Sequence, residues 1–220
     1  MPNTKALPGI PAVPRQWDAR LARYLVSPLR NGPVSPNHLT TVRLGVGLAA
    51  AAAFARGGYD WLNAGALLLI LSNFIDHADG ELARISGKSS RFGHYYDLAC
   101  DAAVTILAFV AMGVGASSAP AAVSPAILGA IAGTAISAIF FLRLRMEELA
   151  GKEASRQPAL GGFDAEDILY LLPIVTLFDA VNPLLLAASI GAPLFAAWVA
   201  IDYRRRIISP VSTPAEELQP

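Results

Sequence analysis

The sequence predicts an all-α integral membrane protein: six transmembrane helices preceded by an N-terminal cytoplasmic amphipathic helix at the membrane interface. Three observations predict it. Of 220 residues, 54% are hydrophobic and 15% charged, with a mean hydropathy of +0.47, whereas soluble domains carry about a quarter charged residues. The apolar residues gather into six stretches that approach the roughly 20 residues a bilayer span needs, some with polar residues near one end. The basic residues, finally, are sorted by side. Seventeen basic and seventeen acidic residues cancel, so no global field draws the chain to polyanions, and a nucleic-acid-binding role is excluded. The single cysteine, Cys100, excludes an intrachain disulfide and a thiolate metal cluster.

Taken in order, residues 1–14 lack the charged start, apolar run and small-residue cleavage site of a signal peptide, and the Pro-rich stretch 6–14 is a connector. Over 15–30, Trp17, Leu21, Tyr24 and Leu25 recur at helical spacing, with Arg15, Asp18, Arg20 and Arg23 on other faces. That pattern suits a helix lying in the headgroup layer, or alternatively a soluble helix packed on a partner. After a second Pro-rich connector, the spans are expected over 38–54, 61–84, 93–115, 122–144, 168–178 and 182–200. Pro183 and Pro193 are tolerable in membrane helices. Small residues over 49–53 and 129–135 let neighbouring helices approach closely, and 211–220 reads as a tail. The expected organisation is an N-terminal segment over 1–36, a six-helix membrane domain over 37–206 and a cytoplasmic tail over 207–220.

Lys5, Arg15, Arg20, Arg23 and Arg30 precede the first span; Arg84, Lys88 and Arg91 lie between the second and third. Arg143, Arg145, Lys152 and Arg156 follow the fourth, and Arg204, Arg205 and Arg206 follow the sixth. Only Arg43, within the first span, and Arg56, at its far end, depart from this side. The positive-inside rule then makes both termini cytoplasmic, and the expected location is the inner (plasma) membrane of a bacterium.

Ionisable groups within a span are costly and mark function by default. Asp76 and Asp79 lie three apart near the end of the second span, Asp97 and Asp101 four apart near the start of the third. Either spacing puts a pair on one helix face. The short connection 85–92 makes the two spans expected antiparallel neighbours, so all four carboxylates can converge at the cytoplasmic boundary. Four carboxylates this close repel unless they bind protons or cations. An all-oxygen donor set suits Mg²⁺ or Mn²⁺, and two divalent ions balance four carboxylates in a clamp that binds phosphate oxygens. Gly80 lets a ligand approach the helix backbone, and Arg84 lies within reach of a phosphate. Glu81 is expected to be a solvated neighbour of Arg84.

Written out, the segment is Asp76-x2-Asp79-Gly80-x2-Ala83-Arg84-x8-Gly93-x3-Asp97-x3-Asp101. It resembles the signature of the CDP-alcohol phosphotransferase family at every defined position. The resemblance implies transfer of a substituted phosphoryl group from a CDP-linked donor, usually CDP-diacylglycerol, to an acceptor alcohol, with release of CMP. It implies a site with two Mg²⁺ or Mn²⁺ ions and a homodimer. It further implies that Asp76, Asp79 and Asp97 hold the metals, and that Asp101 is the general base while also touching a metal. Gly80, Ala83, Arg84 and Gly93 would shape the nucleotide pocket, and Ser90 could donate to a phosphate. Pro36-Asn37-His38-Leu39-Thr40-Thr41 is similar to the stretch that opens the first helix of the family and contributes to that pocket. Asn37 and Thr40 read equally as plain N-caps, Asn37 better so. His77 and His94 occupy variable positions of the motif, as ligands, partners of ligands or surface histidines. Cys100, about 100° around the helix from Asp101, reads as packing.

The acceptor is less legible. Arg143, Arg145 and Arg205 suit a phosphorylated acceptor such as glycerol phosphate or inositol phosphate, and suit a positive-inside anchor equally. Asp164, Glu166 and Asp167 read as the start of the fifth span. A soluble CDP-alcohol given to diacylglycerol is the alternative within the family. Outside it, the alternative is a small carboxylate-dependent transporter, for which the broken, inverted-repeat helices are not visible.

Overall fold

The structure, a computed structural model, describes residues 17–116, 123–150 and 170–208. Among them there is no strand. The helices are α1 (Trp17–Val26), α2 (Pro36–Arg56), α3 (Tyr59–Ser86), α4 (Arg91–Gly115), α5 (Pro125–Ala150), α6 (Leu172–Leu177) and α7 (Val181–Tyr203). Four of them, α2, α4, α7 and the Pro125–Met146 part of α5, are long and apolar enough to cross a membrane. The expectation of six spans is matched to that extent. At 28 residues α3 has the length, but Asn63, Asn73, Asp76 and His77 interrupt its apolar run. The expected fifth span is described only as the six residues of α6; its beginning lies outside the described residues, as do the connector 6–14, Lys152, Arg156, Asp164, Glu166, Asp167 and the tail.

The helix ends have local causes. Ser35, not Asn37, caps α2: its N–H donates to His38 Nδ1 at 3.2 Å, and Pro36 occupies the first helical turn, where its missing N–H costs nothing. α3 stops at Gly87, left-handed at φ +67°, the conformation glycine adopts without a Cβ clash. Ser90 then caps α4 by accepting the Gly93 N–H at 2.9 Å. Between them, Lys88 Nζ donates to the Gly32 carbonyl at 2.7 Å, tying this link to the segment that enters α2. At the far end Arg56 lies over the Trp61 ring, 4.3 Å from its centroid.

α2 is the centre of the arrangement. It packs along both α3 and α4, which barely touch each other. The expectation that the two motif-bearing helices are direct neighbours is thus corrected: the chain reverses between them, but α2 fills the space they would share. α5 packs on α4, α7 on α5, and α1 and α6 on α3. Phe54, Leu62, Ala66, Ala108, Met112 and Leu185 form the interior of the bundle. Close approach of α4 and α5 depends on glycine, as the small-residue stretch led one to expect. A Cβ on Gly129 would strike the Phe109 carbonyl, and one on Gly133 would lie 2.9 Å from Ile106 Cα. In α1, Asp18, Ala19, Ala22 and Val26 are buried, while Leu21, Tyr24 and Leu25 are exposed. The small-residue face therefore packs on α3, and the larger apolar side chains point away from the bundle.

The glycine contacts predict opposite signs for one substitution. Gly45→Ala meets no atom within 4 Å and should leave the melting temperature unchanged or raise it slightly, as expected for a gain of up to about 1 kcal/mol in helix propensity. Gly129→Ala should lower it, through a loss of roughly 1–3 kcal/mol from overpacking. Thermal unfolding of the detergent-solubilised protein measures both.

Candidate active site

Three carboxylates of the motif meet where α2, α3 and α4 come together. Asp76 on α3 and Asp97 and Asp101 on α4 each turn an oxygen into one space, these oxygens lying within 4.8 Å of one another. The fourth cluster member is a cation. Arg43 of α2, 2% exposed, pairs through Nη1 with Asp76, with Asp101 at 2.9 Å and with Asp97 at 3.4 Å. Its Nη2 donates to the Asp97 carbonyl oxygen at 3.3 Å. In the sequence Arg43 is a charge inside a span, and the signal for its role is that depth, since an arginine there needs an acidic partner.

Asp79 borders this cluster, within electrostatic reach of Asp97, Asp101 and Arg43, but has a partner of its own. One helical turn removes it from Asp76, and its Oδ2 accepts from Thr40 Oγ1 at 2.8 Å in a buried contact. The carboxylates therefore divide as three plus one. The stretch that opens α2 lines the same region. Asn37 Oδ1 would lie 2.6 Å from a Cβ on Gly93, so the opening of α2 closes directly on the start of α4. Thr41 donates to the Asn37 carbonyl at 2.8 Å and meets Tyr96 Oη at 3.0 Å. Leu39 packs against the small cluster of Ala22, Val26, Ala78, Leu82 and Ile85. As a cap accepting from Gly93, Ser90 Oγ keeps its proton for another partner. Cys100 is buried.

On the other face of α3 the expectation for Glu81 is corrected. It is not solvated but 2% exposed, and accepts from Arg84 Nη2 at 2.6 Å and Nε at 2.9 Å, with Arg23 Nε of α1 at 3.9 Å. The burial comes from α1, which the spacing of Glu81 and Arg84 could not reveal. Arg84 is held beside Gly80, whose missing Cβ would stand 3.4 Å from Nη2; Ala83 is half-buried. His77 Nδ1 donates to the Asn73 carbonyl at 3.0 Å, and its Nε2 is 3.6 Å from buried Asp18, which accepts from Tyr170 Oη at 3.1 Å.

At the end of α5, Arg145 pairs with Glu148 at 2.8 Å and Glu148 with His94 Nε2 at 3.0 Å. Arg145, and after it His94, hold the Glu148 carboxyl below its ordinary value. Arg143 is half-buried and Arg205 exposed. Beside Asp101 an apolar groove of about 320 Å³ runs between α4 and α5, lined by Leu98, Ala102, Ile106, Ser137, Phe140 and Phe141.

A sequence model described as CDP-alcohol phosphatidyltransferase matches residues 33–201, most of the chain. The chain belongs to the CDP-alcohol phosphatidyltransferase family. Four helices among its described residues are long and apolar enough to cross a membrane, in keeping with a membrane-enzyme family. A similar curated protein is the bifunctional IPC transferase and DIPP synthase of Rubrobacter xylanophilus, 32% identical over 135 residues, or 60% of this chain. The match spans only 29% of that longer relative. This family of phosphatidyltransferases is divalent-metal dependent, and the residues present fit such an ion. The donors are carboxylate oxygens without thiolate or imidazole, three of them converge, and Asp97 Oδ1 is buried with no hydrogen bond of its own.

Thr40→Val keeps the shape at Asp79 but removes its hydrogen-bond donor. Leaving a buried acceptor unpaired should cost roughly 1–3 kcal/mol, seen as a lower melting temperature with the helical circular-dichroism signal retained.

Proposed function

We propose that this phosphatidyltransferase moves a phosphatidyl group from CDP-diacylglycerol to the hydroxyl of a small acceptor alcohol, with CMP as the leaving group. The observation that carries the reading is the convergence of Asp76, Asp97 and Asp101 beside an apolar groove. A water-soluble head and a lipid tail can meet there in one site. The acceptor oxygen forms a bond to the phosphorus that carries the diacylglycerol. The bond from that phosphorus to the bridging oxygen breaks, CMP keeps the electron pair, and Asp101 takes the acceptor proton. Asp76, Asp79 and Asp97, with Asp101, would hold two Mg²⁺ or Mn²⁺ ions, which when bound polarise the pyrophosphate and offset the charge on CMP.

The chain's own residues supply the remainder. Gly80, Ala83 and Gly93 leave room for the nucleotide against the helix backbones, with Asn37, Leu39, Thr40 and Thr41 along one wall. Ser90 Oγ and Arg84 are the phosphate donors, Arg84 exchanging part of its bond to Glu81 for the substrate. Leu21, Tyr24 and Leu25 sit in the headgroup layer, and the site opens to the cytoplasm in a bacterial inner membrane, with the protein a homodimer. Arg143, Arg145 and Arg205 bind a phosphorylated acceptor. The 32% identity to the relative named an IPC transferase and DIPP synthase favours a second reading, in which this chain makes a product of the kind that name states, from a soluble CDP-alcohol.

The test is CMP release by the purified protein with CDP-diacylglycerol and Mn²⁺ or Mg²⁺, across glycerol phosphate, inositol phosphate, inositol, serine and choline. The substrates of the relative's synthase form a separate arm. Activity only in that arm would replace the first reading by the second. Asp101→Asn should lower turnover by about 100- to 10,000-fold, the range for a lost general base, with the helical circular-dichroism signal retained; full activity would remove Asp101 from its role. Chelation should stop CMP release, and added Mn²⁺ should restore it. Arg145→Ala should raise KM for a phosphorylated acceptor while leaving kcat and the KM of a neutral one alone. Equal changes for both acceptors would reduce Arg145 to a membrane anchor.

A further inference from the structure

We infer that Arg43 is a positioning residue, a fixed cation that holds the carboxylates of Asp76, Asp97 and Asp101 in the geometry in which they take a divalent ion. The inference rests on the metal-dependent reading above and adds to it a residue outside the motif. Its first ground is connectivity. α3 and α4 make almost no contact with each other, so their carboxylates are not brought together by the packing of their own helices. Arg43 reaches both: Asp76 on α3, Asp97 and Asp101 on α4, and the Asp97 backbone carbonyl. A guanidinium can do this because its donors are spread over a rigid plane, whereas an ammonium is a point charge.

The second ground is confinement. The Arg43 carbonyl accepts from Ser72 Oγ of α3 at 3.0 Å. One turn on, a Cβ on Gly47 would lie 2.6 Å from the Val104 side chain and 3.1 Å from Ser72 Oγ. α2 is thereby pressed against α3 and α4 at the level where the side chain leaves the backbone, and the residue is 2% exposed. A guanidinium so enclosed has no water to move into, and leaving its carboxylates within the bundle would strand a charge in apolar surroundings. The third ground is which oxygens it uses. Arg43 faces Oδ1 of all three aspartates, and that of Asp97, 3.4 Å away, has no hydrogen bond, so the carboxylates, with two acceptor oxygens each, keep capacity for a second cation. Arg43 and an ion can share the carboxylates, as a neighbour that orients a metal ligand does.

The test is Mn²⁺ binding to the full-length protein in detergent, measured by electron paramagnetic resonance, for the unaltered protein, Arg43→Lys and Arg43→Gln. Phe54→Ala, a core substitution further along α2, serves as the stability control. Loss of a residue that orients metal ligands weakens binding by about 10–100-fold. Both Arg43 variants should show that loss, Arg43→Lys the smaller, and Phe54→Ala should melt lower yet bind Mn²⁺ unchanged. Should Arg43→Gln fail to fold, Arg43→Lys, which keeps the charge, decides. Undiminished binding by folded Arg43→Lys overturns the inference, and tighter binding would make Arg43 a competitor of the ion. An equal loss in Phe54→Ala overturns it too, as a general effect of instability. If the unaltered protein binds no Mn²⁺, the metal-dependent function falls first and the inference with it.

Discussion

The arrangement depends on one buried cation among acidic groups. Asp76, Asp97 and Asp101 lie close enough to repel each other, and with side chains 29–43% exposed water screens that repulsion only in part. Arg43 offsets that repulsion and, being a fork, does so from one position on a third helix. Breaking a buried pair by removing one partner is destabilising by about 3–5 kcal/mol, because the remaining charge has nowhere to go. Such a penalty makes the meeting of α2, α3 and α4 specific: any other register of α2 would leave both the arginine and the aspartates uncompensated.

Other features follow from α2 occupying that place. Thr40, one turn before Arg43, reaches Asp79, and Asn37, earlier still, lies against Gly93. The opening of α2 thus touches both halves of the acidic motif. Gly47, one turn after Arg43, removes the side chain that would hold α2 away from Val104. Small residues and charged residues therefore act together: the glycines set the distance between helices, and at that distance the polar side chains meet. On the reverse face of α3, α1 sets Asp18 and Arg23 against His77 and Glu81, so polar side chains meet the motif helix from both sides.

Much of the site was legible because the motif is local. The spacing of Asp76, Asp79, Asp97 and Asp101 states which carboxylates share a helix face, and three of them do converge. What spacing cannot state is which helix lies between. Arg43 sits 33 residues from Asp76, and a tally of basic residues by side treats it as an exception rather than as a partner. Glu81 illustrates the same limit: its pairing with Arg84 follows from a separation of three, but its burial depends on α1, a contact across nearly 60 positions of sequence. The cap of α2 is Ser35, two residues before Asn37, a good capping residue in isolation whose side chain instead lies against Gly93 of α4. The interruption of α3 by polar residues, which keeps it from being as apolar as its neighbours, has the same origin as the site itself.

The position of the acidic cluster relative to the apolar groove bears on the choice of substrate. A hydrophilic nucleotide and a diacylglycerol have no common solvent, so an enzyme joining their chemistry must present a polar surface and an apolar one within a bond length or two of the reacting phosphorus. Asp101 is the residue where these surfaces touch: Arg43 lies on one side of its carboxylate, and the α4–α5 groove of Leu98, Ile106 and Phe140 opens on the other. The groove is carried by the pair of helices whose glycines bring their backbones together at Phe109 and Gly129. With the helices so close at one level, the larger side chains Phe140 and Phe141 line the space nearer the charges. Burial of apolar surface, at about 25 cal/mol per Å², then gives that space a preference for acyl chains, whichever substrate of the proposed reaction carries them.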